Sequence, residues 1–297
     1  MKNNLQKIFY WFYVVSRGRS VPMSFFNWLV AFCAILKFNS SANLIFGFLA
    51  LIAIVFAHLG TNLFDDFIDY ILKVPKQKCK TQYLENGFTT IKKVFIAAII
   101  CFALSLIAGI FFFTKLGLPV LYIAGIAGTI ILLYPRLNNY ALGEAAVGLC
   151  FGLLLFMGLD FVMTASFHRE IIFVSIPVSL LTSAVVFCHS IMDYNSDKKN
   201  NKQTLCVRLG VNKSNNLLLL LYFAVFFLSL YYIKIGILNI SALLSIMILP
   251  LSFKLYVNLK KYIEIPDDKK FMPNFILARN ISLWYNVIII LGFLWNK

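Results

Sequence analysis

Long runs of apolar residues dominate this chain and restrict what it can fold into. About 20 consecutive apolar residues are needed for a helix to cross a bilayer. Nine such runs can be placed, near residues 22–38, 42–64, 93–113, 116–134, 141–163, 171–192, 215–233, 235–253 and 276–295. The sequence therefore predicts an all-α polytopic membrane protein. We expect nine transmembrane helices in a single bundle around a central cavity, forming one domain over residues 1–297.

The overall composition and the first residues agree with a membrane setting. The chain is 61% hydrophobic with a mean hydropathy of +0.83, whereas ordinary soluble domains are about 45–50% apolar. Residues 1–21 carry Lys2, Lys7, Arg17 and Arg19 around a short aromatic stretch, and no small-residue cleavage site follows. This pattern favours an interfacial amphipathic lead-in, with a cytoplasmic N-terminus, over a signal peptide.

The charge and the cysteines exclude several other classes of function. The net charge is +15, but a cytoplasmic N-terminus would put 22 of the 27 Lys and Arg residues on the cytoplasmic side. That asymmetry is what the positive-inside rule predicts, so the basic excess indicates topology and attraction to anionic lipid and substrate rather than nucleic acid. The six cysteines lack metal-ligand spacing, and neither disulfides nor zinc are expected.

Two acidic clusters lie at the ends of the second and sixth predicted spans. In the first cluster the acids lie three, four and seven positions after the asparagine, and in the second the two acids are four apart, which places each cluster on one helix face. Because both spans are even-numbered, both clusters should reach the cytoplasmic face. The first cluster comprises Asn62, Asp65, Asp66 and Asp69, and the second comprises Asp193 and Asp197.

The chemistry of these clusters points to a bound cation. Acidic side chains near hydrocarbon are costly unless compensated, so such residues indicate a functional site. Oxygen ligands suit Mg²⁺, which is usually held by one or two carboxylates together with substrate phosphates. Lysines follow both clusters, at Lys73, Lys76, Lys78 and Lys80 and at Lys198, Lys199 and Lys202. The pattern predicts a metal-bridged diphosphate, with 30 Phe and 14 Tyr available to line an apolar tunnel and stabilise an allylic cation.

Simpler interpretations remain open at this stage. The first cluster could be a solvated helix end, and the second could be a polar loop. A lone histidine on an apolar helix, such as His58 or His189, is more often a packing residue than a ligand. Glu144 is a buried acid that could orient a lysine or an acceptor. A cation-coupled transporter would bind its ion near the bilayer midplane, whereas these clusters lie at one face.

At these residues the sequence resembles the UbiA superfamily of intramembrane prenyltransferases. The family's two Asp-rich motifs resemble NLFDDFIDY and DYNSDKKNNKQTLCVRLG, and its members have nine transmembrane helices with these motifs at the cytoplasmic ends of the second and sixth. Residues 134–158 are similar to the branch that prenylates 1,4-dihydroxy-2-naphthoate for menaquinone. The resemblance implies Mg²⁺-dependent transfer of a polyprenyl group from a prenyl diphosphate to an aromatic acceptor.

The resemblance also implies roles for individual residues. Asp66, Asp69, Asp193 and Asp197 would be catalytic, and the metal ligands would be Asn62, Asp65, Asp66, Asp69, Asp193 and Asp197. The diphosphate would contact Arg136, Lys198, Lys199 and Lys202. The candidates for the acceptor side are His58, Tyr70, Glu144 and His189. His189 stands where Asn is common in the family, and Tyr70 stands where many members have Asp.

Two further alternatives concern the reaction itself. A family member could use another acceptor, such as 4-hydroxybenzoate, homogentisate or a non-aromatic compound. Alternatively, DDFID at residues 65–69 also reads as the D-D-x-x-D of ionising terpene enzymes, which would fit an intramembrane cyclase. In either case we expect an integral protein of a prokaryotic plasma membrane with its active site facing the cytoplasm.

Overall fold

A computed structural model describes residues 4–71, 83–264 and 268–295, and every regular element within these ranges is helical. The α-helices in chain order are α1 (Asn4–Tyr10), α2 (Val21–Phe38), α3 (Leu44–Ile71), α4 (Ile91–Leu116), α5 (Leu118–Asn139), α6 (Gly143–Gly148), α7 (Leu155–Thr164), α8 (Arg169–Met192), α9 (Tyr194–Lys199), α10 (Leu205–Leu209), α11 (Val211–Lys234), α12 (Ile248–Glu264) and α13 (Asp268–Trp295). A π-helix, Leu149–Leu154, joins α6 to α7, and a 3-10 helix, Ile240–Met247, leads into α12.

The prediction of an all-helical, polytopic chain is confirmed in its general form. Eight helical segments within the described ranges are long and apolar enough to cross a membrane. The predicted span at residues 116–134 coincides with α5, whose apolar part, Leu118–Tyr134, is shorter than the other eight. The polar residues of PRLNN end that apolar part while the helix itself continues to Asn139. The count of nine spans and the cytoplasmic N-terminus therefore stay predictions.

The second predicted span extends further than its apolar run. Helix α3 continues to Ile71, so the whole first acidic cluster lies on regular helix. The eighth predicted span begins later than expected, because residues 235–239 form a turn and the helix starts at Ile240.

The helical hairpin of α4 and α5 turns at Gly117, where φ is 80°, a conformation that only glycine adopts without strain.

The helices differ in how much of their apolar surface is buried inside the bundle. In α8, 61% of the apolar window is buried inside the bundle, compared with 11% in α4. Lipid tails are as apolar as leucine, so a helix with exposed Ile, Leu and Phe side chains is stable at the bundle periphery. Helix α8, which ends in the second acidic cluster, thus lies in the interior of the bundle.

The seam between the π-helix and α8 depends on a close backbone approach. A Cβ atom built on Gly152 would lie 2.6 Å from the Cα atom of Ser179. Real Cβ atoms essentially never come so close to backbone, so the two helices would have to separate.

We expect Gly152→Ala to lower the free energy of unfolding by about 1–3 kcal/mol, the usual cost of overpacking. Gly109→Ala is the matched control, because its Cβ would meet nothing within 4 Å on α4 and alanine is the better helix former. Thermal denaturation in detergent measures both variants. Equal midpoints for Gly152→Ala and the wild-type chain would contradict the close packing.

Candidate active site

One cavity of about 390 Å³ brings together residues that are far apart in the sequence. Its walls come from residues 17–24, from α3, α5, the π-helix, α8 and α9, and from the first turns of α13. Five of the six predicted metal ligands line it, namely Asn62, Asp65, Asp69, Asp193 and Asp197. The two acidic clusters thus lie on one cavity, with α3 supplying one side and the end of α8 supplying the other.

The helical geometry of α3 explains which of its acids reach the cavity. Successive residues advance by about 100° around a helix, so Asn62, Asp65 and Asp69 share one narrow face and point the same way. Asp66 lies at the edge of this face and is 1% exposed, and the cavity is lined without it. Asp66 therefore lies behind the cavity wall in this structure, and its role as a metal ligand stays a prediction.

Asp66 forms a cluster with Arg17 and Tyr83, two residues that the sequence does not predict at the site. Its Oδ1 atom pairs with the Arg17 guanidinium, and its Oδ2 atom accepts a hydrogen bond of 2.6 Å from the Tyr83 hydroxyl. Arg17 also reaches Asp65, with its Nη1 atom 3.3 Å from Oδ2. One guanidinium therefore balances two carboxylates at the end of α3.

Burial and the neighbouring carboxylates shift the pKa values of Arg17 and Tyr83 in this cluster. Burial acts to lower the pKa of Arg17, but the negative charges of Asp66 and Asp65 together outweigh it and raise that pKa above its ordinary value. Burial, followed by the charge of Asp66, raises the pKa of the Tyr83 phenol. Arg17 is thus a permanent cation, and the Tyr83 hydroxyl keeps its proton and donates to Asp66 at neutral pH.

The lead-in is folded so that it delivers Arg17 to the cavity. Arg17 adopts a left-handed backbone conformation, with φ at 53° and ψ at 37°, which is uncommon for a residue with a side chain. The Asn62 amide donates to the Ser16 carbonyl and to the Ser20 hydroxyl, both at 3.2 Å. Strained backbone of this kind tends to occur at functional sites. Upstream, Leu5, Ile8 and Phe9 are exposed, as an interfacial segment requires.

The second cluster is arranged around the junction of α8 and α9. Helix α8 ends at Met192, and the Asp197 amide donates to the Asp193 carbonyl at 2.8 Å, so the two acids still stack one turn apart. The Nδ1 atom of His189 lies 3.0 Å from an Asp193 carboxylate oxygen, and the Lys202 ammonium lies 3.5 Å from Asp197. Lys202 also lines the cavity, as its predicted phosphate-binding role requires.

Other predicted phosphate ligands lie elsewhere. Arg136, Lys198 and Lys199 are exposed and are not part of the cavity wall, and Lys198 lies over the ring of Tyr194, 5.7 Å from its centroid. The predicted basic loop from Lys73 to Lys80 lies outside the described residues. The cavity receives positive charge instead from Arg17, Arg19 and Lys202. The sequence alone indicates only topology signals at Arg17 and Arg19, because Arg17 meets its α3 partners across 48 and 49 residues of sequence.

The proposed acceptor-side residues are in different environments. The His58 ring lines the inner part of the cavity, with Nδ1 2.5 Å from the Ser24 hydroxyl and Nε2 3.0 Å from the Ser20 hydroxyl. The His189 ring lies edge-on to Phe271 and Phe275 at the cavity wall. Tyr70 is 54% exposed and lies away from the cavity. Glu144 is buried beside the wall, where it accepts a hydrogen bond of 2.8 Å from Ser190.

The donor set fits a divalent cation that is completed by substrate. All the acidic and amide ligands on the cavity are oxygen donors, which Mg²⁺ prefers. Among residues 4–71, 83–264 and 268–295, no three His, Cys, Asp or Glu side chains are close enough to enclose an ion by themselves. Mg²⁺ commonly takes only one or two carboxylates, with phosphate oxygens and water as the other ligands. Asn62, Asp65 and Asp69 on one side and Asp193 and Asp197 on the other would hold it.

The fold and the cavity define a helical membrane protein with an acidic site, balanced by arginine and lysine, at one end of its bundle. The chain belongs to the UbiA prenyltransferase family, whose model matches residues 26–284. This match includes both acidic clusters and all the helices from α3 to α12. It leaves out Arg17 and Arg19, which lie just before its first residue.

Solved structures share the fold at low sequence identity. An apo UbiA homologue from Aeropyrum pernix K1 is 16% identical, with a TM-score of 0.70 over 92% of this chain and 97% of that one. A UbiA homologue from Archaeoglobus fulgidus, solved with GPP and Mg²⁺, is 17% identical, with a TM-score of 0.57 over 94% and 99%. A structure of digeranylgeranylglyceryl phosphate synthase is 16% identical, with a TM-score of 0.64 over 97% and 99%.

One curated relative is similar over a short segment. The 1,4-dihydroxy-2-naphthoate octaprenyltransferase of Bacillus subtilis (strain 168) is 31% identical over 68 residues. That segment is 23% of this chain and 22% of the relative, so the match spans about a fifth of the relative's length.

Proposed function

We propose that this protein transfers a polyprenyl group from a prenyl diphosphate to an aromatic acceptor, in a reaction that depends on Mg²⁺. The observation that carries the proposal is the meeting of two carboxylate-bearing helix ends on one cavity whose inner wall is apolar. The similar Archaeoglobus protein was solved with GPP and Mg²⁺, which supports the same ligand chemistry here. The short match to the Bacillus enzyme favours 1,4-dihydroxy-2-naphthoate as the acceptor, and hence menaquinone synthesis.

The chain's own residues would bind both ends of the donor. Asn62, Asp65, Asp69, Asp193 and Asp197 would hold the cation, which would supply positive charge that offsets the diphosphate and makes it a better leaving group. Arg17, Arg19 and Lys202 place further positive charge against the phosphate oxygens. Asp66 pairs with Arg17 and would hold that guanidinium in position beside the donor.

The inner cavity suits the apolar part of the donor. Ile130, Ile131, Val186 and Phe151 line it, and they exclude water from the allylic carbon as the bond to diphosphate weakens. Aromatic faces stabilise positive charge close to them, and Phe151 and Tyr134 are placed to do so. The acceptor ring then supplies the electron pair for the new carbon–carbon bond.

The charge asymmetry of the sequence supports an orientation for this site. With the N-terminus in the cytoplasm, both acidic clusters face the cytoplasm, from which a diphosphate group and a polar acceptor could reach them. We therefore propose an integral protein of a prokaryotic plasma membrane with a cytoplasmic active site.

The experiment is an assay of the full chain in lipid vesicles. Labelled prenyl diphosphates of several lengths are offered with naphthoate, benzoate or homogentisate acceptors, with Mg²⁺ or with excess chelator. We expect a prenylated aromatic product that requires Mg²⁺ and that reaches background when the metal is removed. A prenyl hydrocarbon formed without acceptor would indicate a terpene cyclase instead, and full turnover with chelator would exclude the metal mechanism.

A further inference from the structure

Glu144 is a buried acid that has no role in the proposed binding of metal and diphosphate. It lies in the first turn of α6 and is 4% exposed. Its Oε1 atom accepts a hydrogen bond from the Ser190 hydroxyl at 2.8 Å. Its Oε2 atom is inaccessible to solvent and has no hydrogen-bond partner within the described part of the chain. Burying a carboxyl group with an unused oxygen is costly, so the group calls for an explanation.

A purely structural role explains the position of Glu144 poorly. The seam between α6 and α8 is already fixed by the Ser183 hydroxyl, which donates to the Glu144 carbonyl at 2.9 Å, and by the close contact of Gly148 with Ser183. An apolar or amide side chain could fill the same space at lower cost, because replacing a buried charge with a well-packed neutral group is often neutral or stabilising. The carboxyl group adds one hydrogen bond across this seam, from Ser190, and a neutral amide oxygen could accept it equally well.

Ser190 connects the carboxyl group to the cavity. Its side chain lines the cavity, and its hydroxyl proton is donated to Glu144, which leaves oxygen lone pairs to accept a hydrogen bond from a ligand. It precedes Asp193 by three residues on the same helix, a rise of about 4.5 Å. A hydroxyl group bound at Ser190 would therefore lie close to the diphosphate end of the donor.

We propose that Ser190 and Glu144 form a proton-accepting pair that binds and deprotonates the hydroxyl group of a hydroxyaromatic acceptor. Ser190 is the residue that touches the acceptor, and Glu144 is a positioning residue that acts through Ser190. This inference rests on the proposed prenyl transfer. It assigns the acceptor to a class, aromatic rings with an ionisable hydroxyl, and places that hydroxyl on the α8 side of the cavity.

The proton and electron movements balance as follows. The acceptor O–H gives its proton to the Ser190 oxygen while the Ser190 proton passes to the Glu144 carboxylate. The electron-rich ring then forms a carbon–carbon bond to the allylic carbon, and the carbon–oxygen bond breaks with its electron pair leaving on diphosphate. The substituent on the attacked ring carbon departs as a proton or as CO₂, leaving its bonding pair in the ring. Glu144 then returns its proton through Ser190 to the phenolate oxygen.

The test uses the acidity of the acceptor to separate proton transfer from structure. Full-length Glu144→Gln, Ser190→Ala and Ser183→Ala variants are assayed in vesicles with 1,4-dihydroxy-2-naphthoate and with ring-fluorinated analogues whose hydroxyls are progressively more acidic. For Glu144→Gln and Ser190→Ala we expect kcat/KM for the unsubstituted acceptor to fall on the order of 100-fold, as for loss of a general base. The loss should shrink as the acceptor becomes more acidic, because an ionised hydroxyl needs no base.

Two measurements complete the design. The KM for the prenyl diphosphate should stay within about twofold, because neither side chain binds the donor, and Ser183→Ala should keep wild-type kinetics although it loses a hydrogen bond to the Glu144 backbone. If Glu144→Gln fails to fold, Ser190→Ala carries the same expectation. A wild-type rate in both variants, or an equal loss with every acceptor, overturns this inference alone. No product from the wild-type chain with any hydroxyaromatic acceptor overturns the proposed function as well.

Discussion

Asp193→Asn is expected to reduce prenyl transfer by at least about 100-fold, the size of loss that follows removal of one preorganised electrostatic group. Asp193 lines the cavity at the end of the central helix α8, and its carboxylate is 3.0 Å from the His189 ring. Asparagine keeps the side-chain shape and retains an oxygen that can accept from His189. The substitution therefore removes mainly the negative charge that would help to hold the cation on the diphosphate.

Steady-state assays in vesicles measure this loss, and Mg²⁺ titrations locate its cause. We expect the Mg²⁺ concentration for half-maximal rate to rise in Asp193→Asn, with the midpoint of thermal unfolding almost unchanged. Lys261→Ala is the matched control, because this exposed lysine on α12 is not part of the cavity wall, and its rate should stay within about twofold of wild type. Full activity in Asp193→Asn would remove the proposed role of the second cluster.

Arg17→Met is expected to destabilise the protein by up to about 3–5 kcal/mol, because it removes the guanidinium partner of the buried Asp66 carboxylate. The side chain of Asp66 is fully buried, and without Arg17 it would keep the hydrogen bond from Tyr83. Methionine fills much of the same volume without charge. The proposed prenyl transfer should fall in parallel, since Arg17 also lines the cavity near the diphosphate.

A double variant distinguishes an uncompensated charge from a general loss of packing. In Arg17→Met/Asp66→Asn the buried carboxylate is gone, so most of the lost stability should return while the rate stays low. Lys7→Met is the control for the lead-in, because Lys7 is exposed on α1 and its loss should change unfolding by no more than about 0.5 kcal/mol. Chemical denaturation in detergent gives all the values. Wild-type stability in Arg17→Met, or no recovery in the double variant, would mean that the buried pair is not what stabilises this region.

Much of the site could be predicted from the sequence because the residues within each acidic cluster are close together in the chain. Asn62, Asp65 and Asp69 share a face through helical periodicity alone. That Asp193 lies on the same side of the bundle as the first cluster follows from counting spans, because two helices that run in the same direction end at the same side. Neither inference needs any knowledge of side-chain packing.

Other parts of the site could not be predicted in this way. Asp66 and Asp65 are adjacent and chemically identical, yet one is buried against Tyr83 and the other faces the cavity. The difference arises from the neighbours packed at the edge of the α3 face, and sequence periodicity does not name them. Arg17 looked like one of many basic residues of a membrane protein, since its carboxylate partners follow it by 48 and 49 residues.

The sequence by itself determined that this chain is a bundle of apolar helices and that carboxylates at the ends of α3 and α8 have to be compensated by positive charge. Those properties follow from hydrophobicity, helical spacing and the cost of charge near hydrocarbon. Each of these can be evaluated for one segment without knowing how it packs against the others. Only the tertiary structure decided which cations provide the compensation and which acids remain open to a ligand. Arg17 and Lys202 reach the cavity while Lys198 and Lys199 do not, because pairing at a few ångströms depends on how the lead-in and the loop after α8 fold back onto the bundle.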